Sequence, residues 1–556
     1  MCSRSVTAAI ASAALALVIG ICAAAPVFFP DDPIARDDDR AVDAGKAQSI
    51  ETSDYYDFVQ NTFFMPGEQS SAKAANVNTI DEVPDSSWFT NRIGVRPMSD
   101  DEIVRGPDRF DRLSIDGWPI VQGKSEGLQP GFRVADPASG KIYQIEFDPP
   151  SNPEMATGAE RVGTAFYHAF GYNVVDVYIA EFDFRQATIA PTATIKDIGG
   201  RERRLLRADI EDILRDVARL PNGRYRAIAS RFADGKPLGN FRYFGTRPDD
   251  PNDIFPHEHR RELRGARVFA AWLNHDDSRG INSLDMLEGE PGRQWVRHYM
   301  FDFGSILGSG TAFAQTPRAG HEYLYDWREG FLTLATLGLY VRPWLLIDFP
   351  EAPPAAGRFE ADAFEPDRWK PEYPNPAFRN MRDDDAYWAA KIVSKFSDGT
   401  IRRIVERGRY SDPETVEFLT RMLIARRDKV LRTWLTRVLP VDEVSLSADG
   451  KLTFVNTASA ANVAPAPTQY LITWHRFDNA TGEHQPVGQE NAVTGTTAEL
   501  PRELAGEPFV GLSMRAVVRD YPGWRRATRV YFRRVAGGWQ TVGIERMGDL
   551  PGGRTR

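Results

Sequence analysis

Apolar and polar positions change rhythm several times along this chain, and each change marks an element. From about Trp118 the period is two. Residues 132–134 and 142–147 alternate apolar with polar around the turn formers Asp136, Pro137, Ser139 and Gly140, which predicts a β-hairpin. Residues 153–170 then place apolar side chains at helical spacing before Gly171, a helix and its stop. Residues 174–182 and 225–232 read as strands. Leu206, Ile210, Ile213, Leu214 and Val217 form the apolar face of a helix between them, and another helix spans residues 260–273. Ile281 and Leu284, then Val296, Tyr299 and Phe301, predict a second hairpin. Three helices follow over about 385–396, 399–407 and 413–438. After Pro440 period two returns in 452–455, 470–477, 514–518, 529–534 and 539–543, the pattern of an all-β, sandwich-like module over 441–545. The fold class is therefore α+β.

Two apolar runs stand outside these periods. Residues 8–21, with Arg4 before them and Ala23, Ala24 and Ala25 after, have the layout of an export signal over 1–25. They predict a periplasmic or envelope location. Both cysteines, Cys2 and Cys22, lie inside this run, so the rest of the chain has no thiol chemistry; Cys22 is a candidate lipid anchor, and signal or lipid the only membrane contact. Residues 331–349 are apolar but broken by Arg342, Pro343 and Asp348, which reads as a buried helix rather than a span. The acidic stretch 26–50, with Asp31, Asp32 and Asp37 to Asp39, reads as a flexible tether, and 52–115 as a wrapping extension. A net charge of −9 argues against nucleic acid as a partner.

Chemistry concentrates between Asn274 and Gly304. The run Asn274-His275-Asp276-Asp277-Ser278-Arg279-Gly280-Ile281-Asn282 places Asp277 five residues before Asn282, and Phe301-Asp302-Phe303-Gly304 closes the following hairpin. A loop and a strand end that bring Asn282 and Asp302 together suit Mg²⁺, which takes few protein oxygens and completes its shell with phosphate and water. Upstream, Gly123, Lys124, Gly127 and Gly131 space a turn whose backbone could approach a phosphate. His257, His259 and His275 with Asp276 offer a rival reading as a metal-dependent hydrolase, although their spacing matches no ligand pattern.

The paired motifs resemble the catalytic loop and Asp-Phe-Gly of protein kinases. In style the chain is similar to divergent bacterial branches such as the HipA-type and CotH-type kinases. More narrowly it resembles a group of exported bacterial proteins carrying strings like Asn78-Thr79-Ile80-Asp81-Glu82-Val83-Pro84-Asp85-Ser86-Ser87-Trp88 and His298-Tyr299-Met300-Phe301-Asp302-Phe303-Gly304. The resemblance implies a β-rich N-lobe over 116–250, a helical C-lobe over 251–440, and ATP or another nucleotide with Mg²⁺ or Mn²⁺ between them. It makes Asp277 the catalytic base, Asn282 and Asp302 the metal ligands, and Glu160 the helix glutamate that orients a lysine. The strand lysine is missing: Glu146 stands there and would repel Glu160, leaving Lys124 as its substitute. The implied function is transfer of a phosphoryl or nucleotidyl group to an unknown acceptor, or, as an alternative, an inactive pseudokinase acting as an envelope scaffold. The β module is the expected contact for an envelope protein or glycan; its Trp524 and Trp539 read as core or turn residues before sugar contacts.

Overall fold

The computed structural model describes residues 25–124, 129–197 and 200–547. The expected export signal (Ala25 apart), Cys22 and Gly127 lie outside the described residues. The N-terminal extension contributes two short helices, Asp54–Val59 (α1) and Asp100–Arg105 (α2). Strands Pro119–Gly123 (β1), Gly131–Ala135 (β2) and Ile142–Phe147 (β3) precede the helix Met155–Phe170 (α3). Then come Val177–Phe182 (β4), Thr188–Lys196 (β5), Glu202–Arg204 (β6), the helix Arg207–Arg215 (α4), and Tyr225–Arg231 (β7). These strands form one seven-stranded sheet in the order β4-β7-β3-β2-β1-β5-β6, antiparallel except where β1 runs parallel to β5. The predicted hairpin is β2–β3, in register from Gly131 opposite Glu146 to Ala135 opposite Ile142.

Lys236–Gly239 (β8) leads to the helix Arg261–Leu273 (α5) and to the second predicted hairpin, Ser283–Glu290 (β9) with Arg293–Met300 (β10); together they make a sheet ordered β10-β9-β8. The helical region continues through Trp327–Ala335 (α6), Pro376–Arg379 (α7), Asp383–Val393 (α8), Asp398–Glu406 (α9) and Pro413–Val430 (α10). Caps explain several starts: Ser397 accepts from the N–H of Thr400, and Asp412 accepts from that of Glu414. Trp272, Trp388 and Trp434, fully buried from α5, α8 and just past α10, fill the centre of this layer.

The C-terminal region is built from Val441–Leu446 (β11), Lys451–Asn456 (β12), a one-turn helix Thr457–Ala460 (α11), Tyr470–Phe477 (β13), His484–Val493 (β14), Thr497–Glu499 (β15), Phe509–Arg515 (β16), Thr528–Val535 (β17) and Gly538–Glu545 (β18). Two antiparallel sheets, β11-β12-β15 and β14-β13-β16-β17-β18, lie against each other. Their core is continuous with that of the helices, because Trp524 is fully buried and its indole N–H donates to the Thr436 carbonyl at 3.0 Å.

Two expectations fail. The acidic stretch 26–50 is docked, not a tether. Phe28 packs in a cluster with Phe477, Tyr531 and Val542 of the C-terminal sheet, and Ala44 and Ala47 pack on Leu238, Leu287 and Val296. Two of its carboxylates cap backbone donors: Asp39 accepts from the N–H of Ser87 at 2.6 Å and Asp32 from that of Phe29 at 2.7 Å. The apolar stretch 331–349 is not a buried helix either, since α6 ends at Ala335 and no residue from Gly330 to Pro350 is buried. Among the described residues no helix is long and apolar enough to cross a membrane.

Candidate functional site

The loop between α5 and β9 and the turn after β10 meet over α3. Helix α5 ends because Asn274 takes a left-handed conformation (φ 52), which asparagine tolerates and which turns the chain out. The Asn282 side-chain amide then donates to the Asp277 carbonyl at 2.8 Å, closing the loop on itself. The Asp277 carboxylate is ion-paired with Arg279 and accepts from the Ser305 hydroxyl at 3.2 Å. Arg279 also reaches Asp54 of α1 at 3.0 Å and Glu372 at 2.9 Å, so the N-terminal extension is clamped onto this loop. Dehydration pushes the Asp277 carboxyl up, and Arg279 holds it down.

Asp302 follows β10, also in a left-handed conformation (φ 63). The next residues are seated by a glycine. An added Cβ on Gly163 would stand 2.6 Å from Phe303 Cβ and 2.6 Å from Ile306 Cδ1, so only a bare backbone lets this turn lie on α3. Phe303 stacks on Tyr167 of the same helix at 4.3 Å. Around Gly304 an added Cβ would meet Gln129 Oε1 at 3.7 Å, Asp302 Oδ1 at 3.8 Å and Glu160 Oε2 at 3.9 Å, which places these three side chains within one small volume. The backbone amides of Phe303 and Gly304 hydrogen-bond the Glu160 carboxylate.

Like charges crowd this volume. Dehydration, then Asp302, then Glu146, push the Glu160 carboxyl well above the usual carboxylate range. Dehydration, Glu146 and Asp277 push the Asp302 carboxyl up to about 7, with Lys124 and Arg279 opposing. More than a third of Asp302 is open to solvent, so the neighbouring carboxylates, rather than dehydration, are the firmer cause of that rise. Lys124 forms an ion pair with Glu146 and faces Asp302. The structure thus brings together Lys124, Glu146, Glu160, Asp277, Asn282 and Asp302 on one cleft between the large sheet and the α5–β10 loops.

Gly123 and Gly131 are set by packing: a Cβ on Gly123 would collide with the Ile195 side chain, and one on Gly131 with the Ile145 carbonyl. The histidines do not converge. His257 pairs with Asp253 at 2.7 Å, His259 meets Arg264 at 2.6 Å, and buried His275 bonds the Tyr167 hydroxyl at 2.8 Å, its pKa lowered to about 3 by dehydration. Among the described residues, no three His, Cys, Asp or Glu side chains form a ready metal cage. The neighbouring arginines are structural: Arg260 pairs with Asp253, and Arg261 with Asp81, Asp384 and Asp385.

The two flanking strings support the site from behind. Trp88 stacks on His298 at 3.5 Å, His298 pairs with Asp285 at 2.7 Å, and the Asn173 amide bridges the carbonyls of Ser87 and His298. That strut fixes β10 and therefore Asp302. Sequence reasoning missed Gln129, Arg279, Ser305 and Asp54. Arg279 stood inside the motif, two residues after Asp277, but Asp54 carried no local signal. A cavity of about 760 Å³ between α5 and residues 320–370 lies away from this cleft, and none of the expected site residues lines it.

No family model matches the chain, and no curated protein matches its sequence. Among solved structures it is similar to the Helicobacter pylori proinflammatory kinase CtkA, at 13% identity and a TM-score of 0.32, over 59% of this chain and 98% of that chain. A likeness at that level carries no argument about fold or activity.

Proposed function

We propose that the cleft binds a phosphorylated ligand, in the first instance a nucleotide, through Mg²⁺ or Mn²⁺, and transfers a phosphoryl or nucleotidyl group to an acceptor hydroxyl. The observation that carries this reading is the crowding of Glu146, Glu160, Asp277 and Asp302 against Lys124. Carboxylates gathered at one place are relieved by a divalent cation, and a cation with few protein oxygens is completed by phosphate. Asp302 and Asn282 would hold the cation, Lys124 would meet phosphate oxygens, and Asp277 would take the acceptor's proton. The apolar run 8–21 supports an exported setting for this activity, where the donor is whichever nucleotide or phosphoanhydride is present.

One observation favours a second reading. Asp277 is held by Arg279, and Lys124 by Glu146, so both groups needed for transfer already have protein partners. A pseudokinase that binds its ligand without turnover would keep this arrangement. Thermal melting with Mg²⁺ or Mn²⁺ and a panel of nucleotides separates the cases, since a ligand of the folded state raises its melting temperature. A cation-dependent rise supports the site, and turnover of the bound nucleotide then decides between enzyme and scaffold. A flat response to every nucleotide with both cations sinks the proposal.

A further inference from the structure

The segment that was expected to be buried holds the most exposed apolar side chains among the described residues. From Gly330 to Val341 the chain has no Asp, Glu, Lys or Arg. Phe331 is 68% exposed, Leu334 75%, Leu337 92% and Leu339 84%, and Leu345 and Leu346 continue the surface. It is continuous with the aromatic residues after α1, for Phe63 lies 5.3 Å from Tyr325 and 6.1 Å from Trp327. Monomers seldom leave so much contiguous apolar surface in water.

We propose that residues 327–346 insert into the interfacial layer of a lipid bilayer, docking the protein on a membrane surface without crossing it. Three observations favour lipid over a protein partner. First, the side chains protrude from a short helix and the loop after it rather than forming one stripe. A leucine that is 92% exposed is covered on every side by fluid hydrocarbon, whereas a protein groove receives one helix face.

Second, the turn from Thr333 to Tyr340 satisfies several of its own polar groups. The Thr333 hydroxyl donates to the Glu329 carbonyl at 2.8 Å, and Thr336 to the Leu332 carbonyl at 2.8 Å while accepting from the N–H of Tyr340 at 2.9 Å. The amides of Leu337, Gly338 and Leu339 donate to the carbonyls of Leu334, Thr333 and Thr336. Such closure is what an apolar medium demands, because it offers no partner for a free amide or hydroxyl. Third, the exposed Tyr325 and Trp327, next to Phe63, give one flank the aromatic border typical of a membrane–water boundary. The charges within and beside the segment are paired, Arg328 with Glu329 and Arg342 with Glu322. Insertion is therefore driven by apolar area and needs no anionic lipid.

The test uses the full chain carrying Cys2→Ser and Cys22→Ser, with Leu337→Cys bearing an environment-sensitive fluorophore. Phosphatidylcholine vesicles are added, with or without bromine on their acyl chains. A second chain, labelled through Val517→Cys on the exposed surface after β16, reports protein that reaches vesicles by its N-terminal run alone. The expected result is a blue shift and bromine quenching at position 337, with neither at 517, persisting in high salt. Adding Leu339→Asp should weaken vesicle partitioning of the 337 label about tenfold and leave the melting temperature unchanged, because that side chain touches almost nothing of its own protein. A 337 label that stays water-exposed and unquenched overturns the proposal. So does a blue shift that appears without vesicles and grows with protein concentration, which assigns the surface to a second copy of this chain.

Discussion

Substituting Gly163 by alanine perturbs the site through packing alone. The new Cβ would lie 2.6 Å from Phe303 Cβ and from Ile306 Cδ1, while carbon atoms in contact sit about 3.5–4.0 Å apart, so the turn must move by about 1 Å. Phe303 cannot yield by rotating, since the clash is at its Cβ and its ring is buried against Tyr167. Overpacking of this kind costs about 1–3 kcal/mol. Replacing a mid-helix glycine by alanine returns about 1 kcal/mol. The net is a loss of up to about 2 kcal/mol, together with a shift of Asp302 and Gly304 away from Glu160. Gly158→Ala on the same helix is the control. Its Cβ would meet the Tyr410 ring at 2.5 Å, a clash of the same kind that falls on the turn between α9 and α10 instead of on the Asp302 turn. Thermal melting with and without Mg²⁺-nucleotide reads both effects. Gly163→Ala should melt earlier and lose most of the ligand-induced rise, whereas Gly158→Ala should keep that rise. A Gly163→Ala protein indistinguishable from wild type in both respects refutes the seating argument.

Further outcomes follow from the same geometry. Asp302 has a folded-state pKa of about 7, above its value of about 3.9 in an unfolded chain, so the stability it confers is complete below about pH 4 and is lost as pH rises through 7. Asp302→Asn, which tolerates the left-handed backbone, should remove that loss, so the variant's advantage in melting temperature grows from pH 5 to pH 8; equal pH profiles would contradict the crowding. In the wild type, Mg²⁺ affinity should rise over the same interval, because the cation competes with the proton. Lys391 is buried between Glu82 and Asp442, and Lys391→Met should cost about 3 kcal/mol because buried Glu82 loses its ion pair while Asp442 keeps Arg546; a near-normal denaturation curve would count against the ion network. Phe28→Ala should free residues 26–40 from the C-terminal sheet and speed their cleavage in limited proteolysis, with unchanged protection telling against the docking.

Much of the frame was legible because its signals are local. Helices α3, α5 and α8 to α10 were found from apolar spacing and caps, and the β2–β3 and β9–β10 hairpins from alternation about turn residues. The opposition of Glu146 and Glu160 was also readable, because the kinase resemblance assigns a role to each of those positions. What escaped depends on distant partners or on direction. Phe28 looked like part of a tether because its partners lie about 450 residues downstream. Residues 331–349 looked buried because hydropathy reports how apolar a segment is, not which way it faces. The Arg279 clamp escaped because Asp54 lies far upstream of it and Glu372 far downstream, and β14 because its alternation is mostly polar.

The central claim is that Asp302 helps hold a cation and, through it, a phosphorylated ligand. Calorimetric titration of the purified protein with nucleotides at pH 7.5 tests it directly, with Mg²⁺, with Mn²⁺ and with chelator. The account expects saturable binding that requires the cation and is lost in Asp302→Asn. Binding that persists in chelator or survives Asp302→Asn would contradict it, as would the absence of binding under every condition.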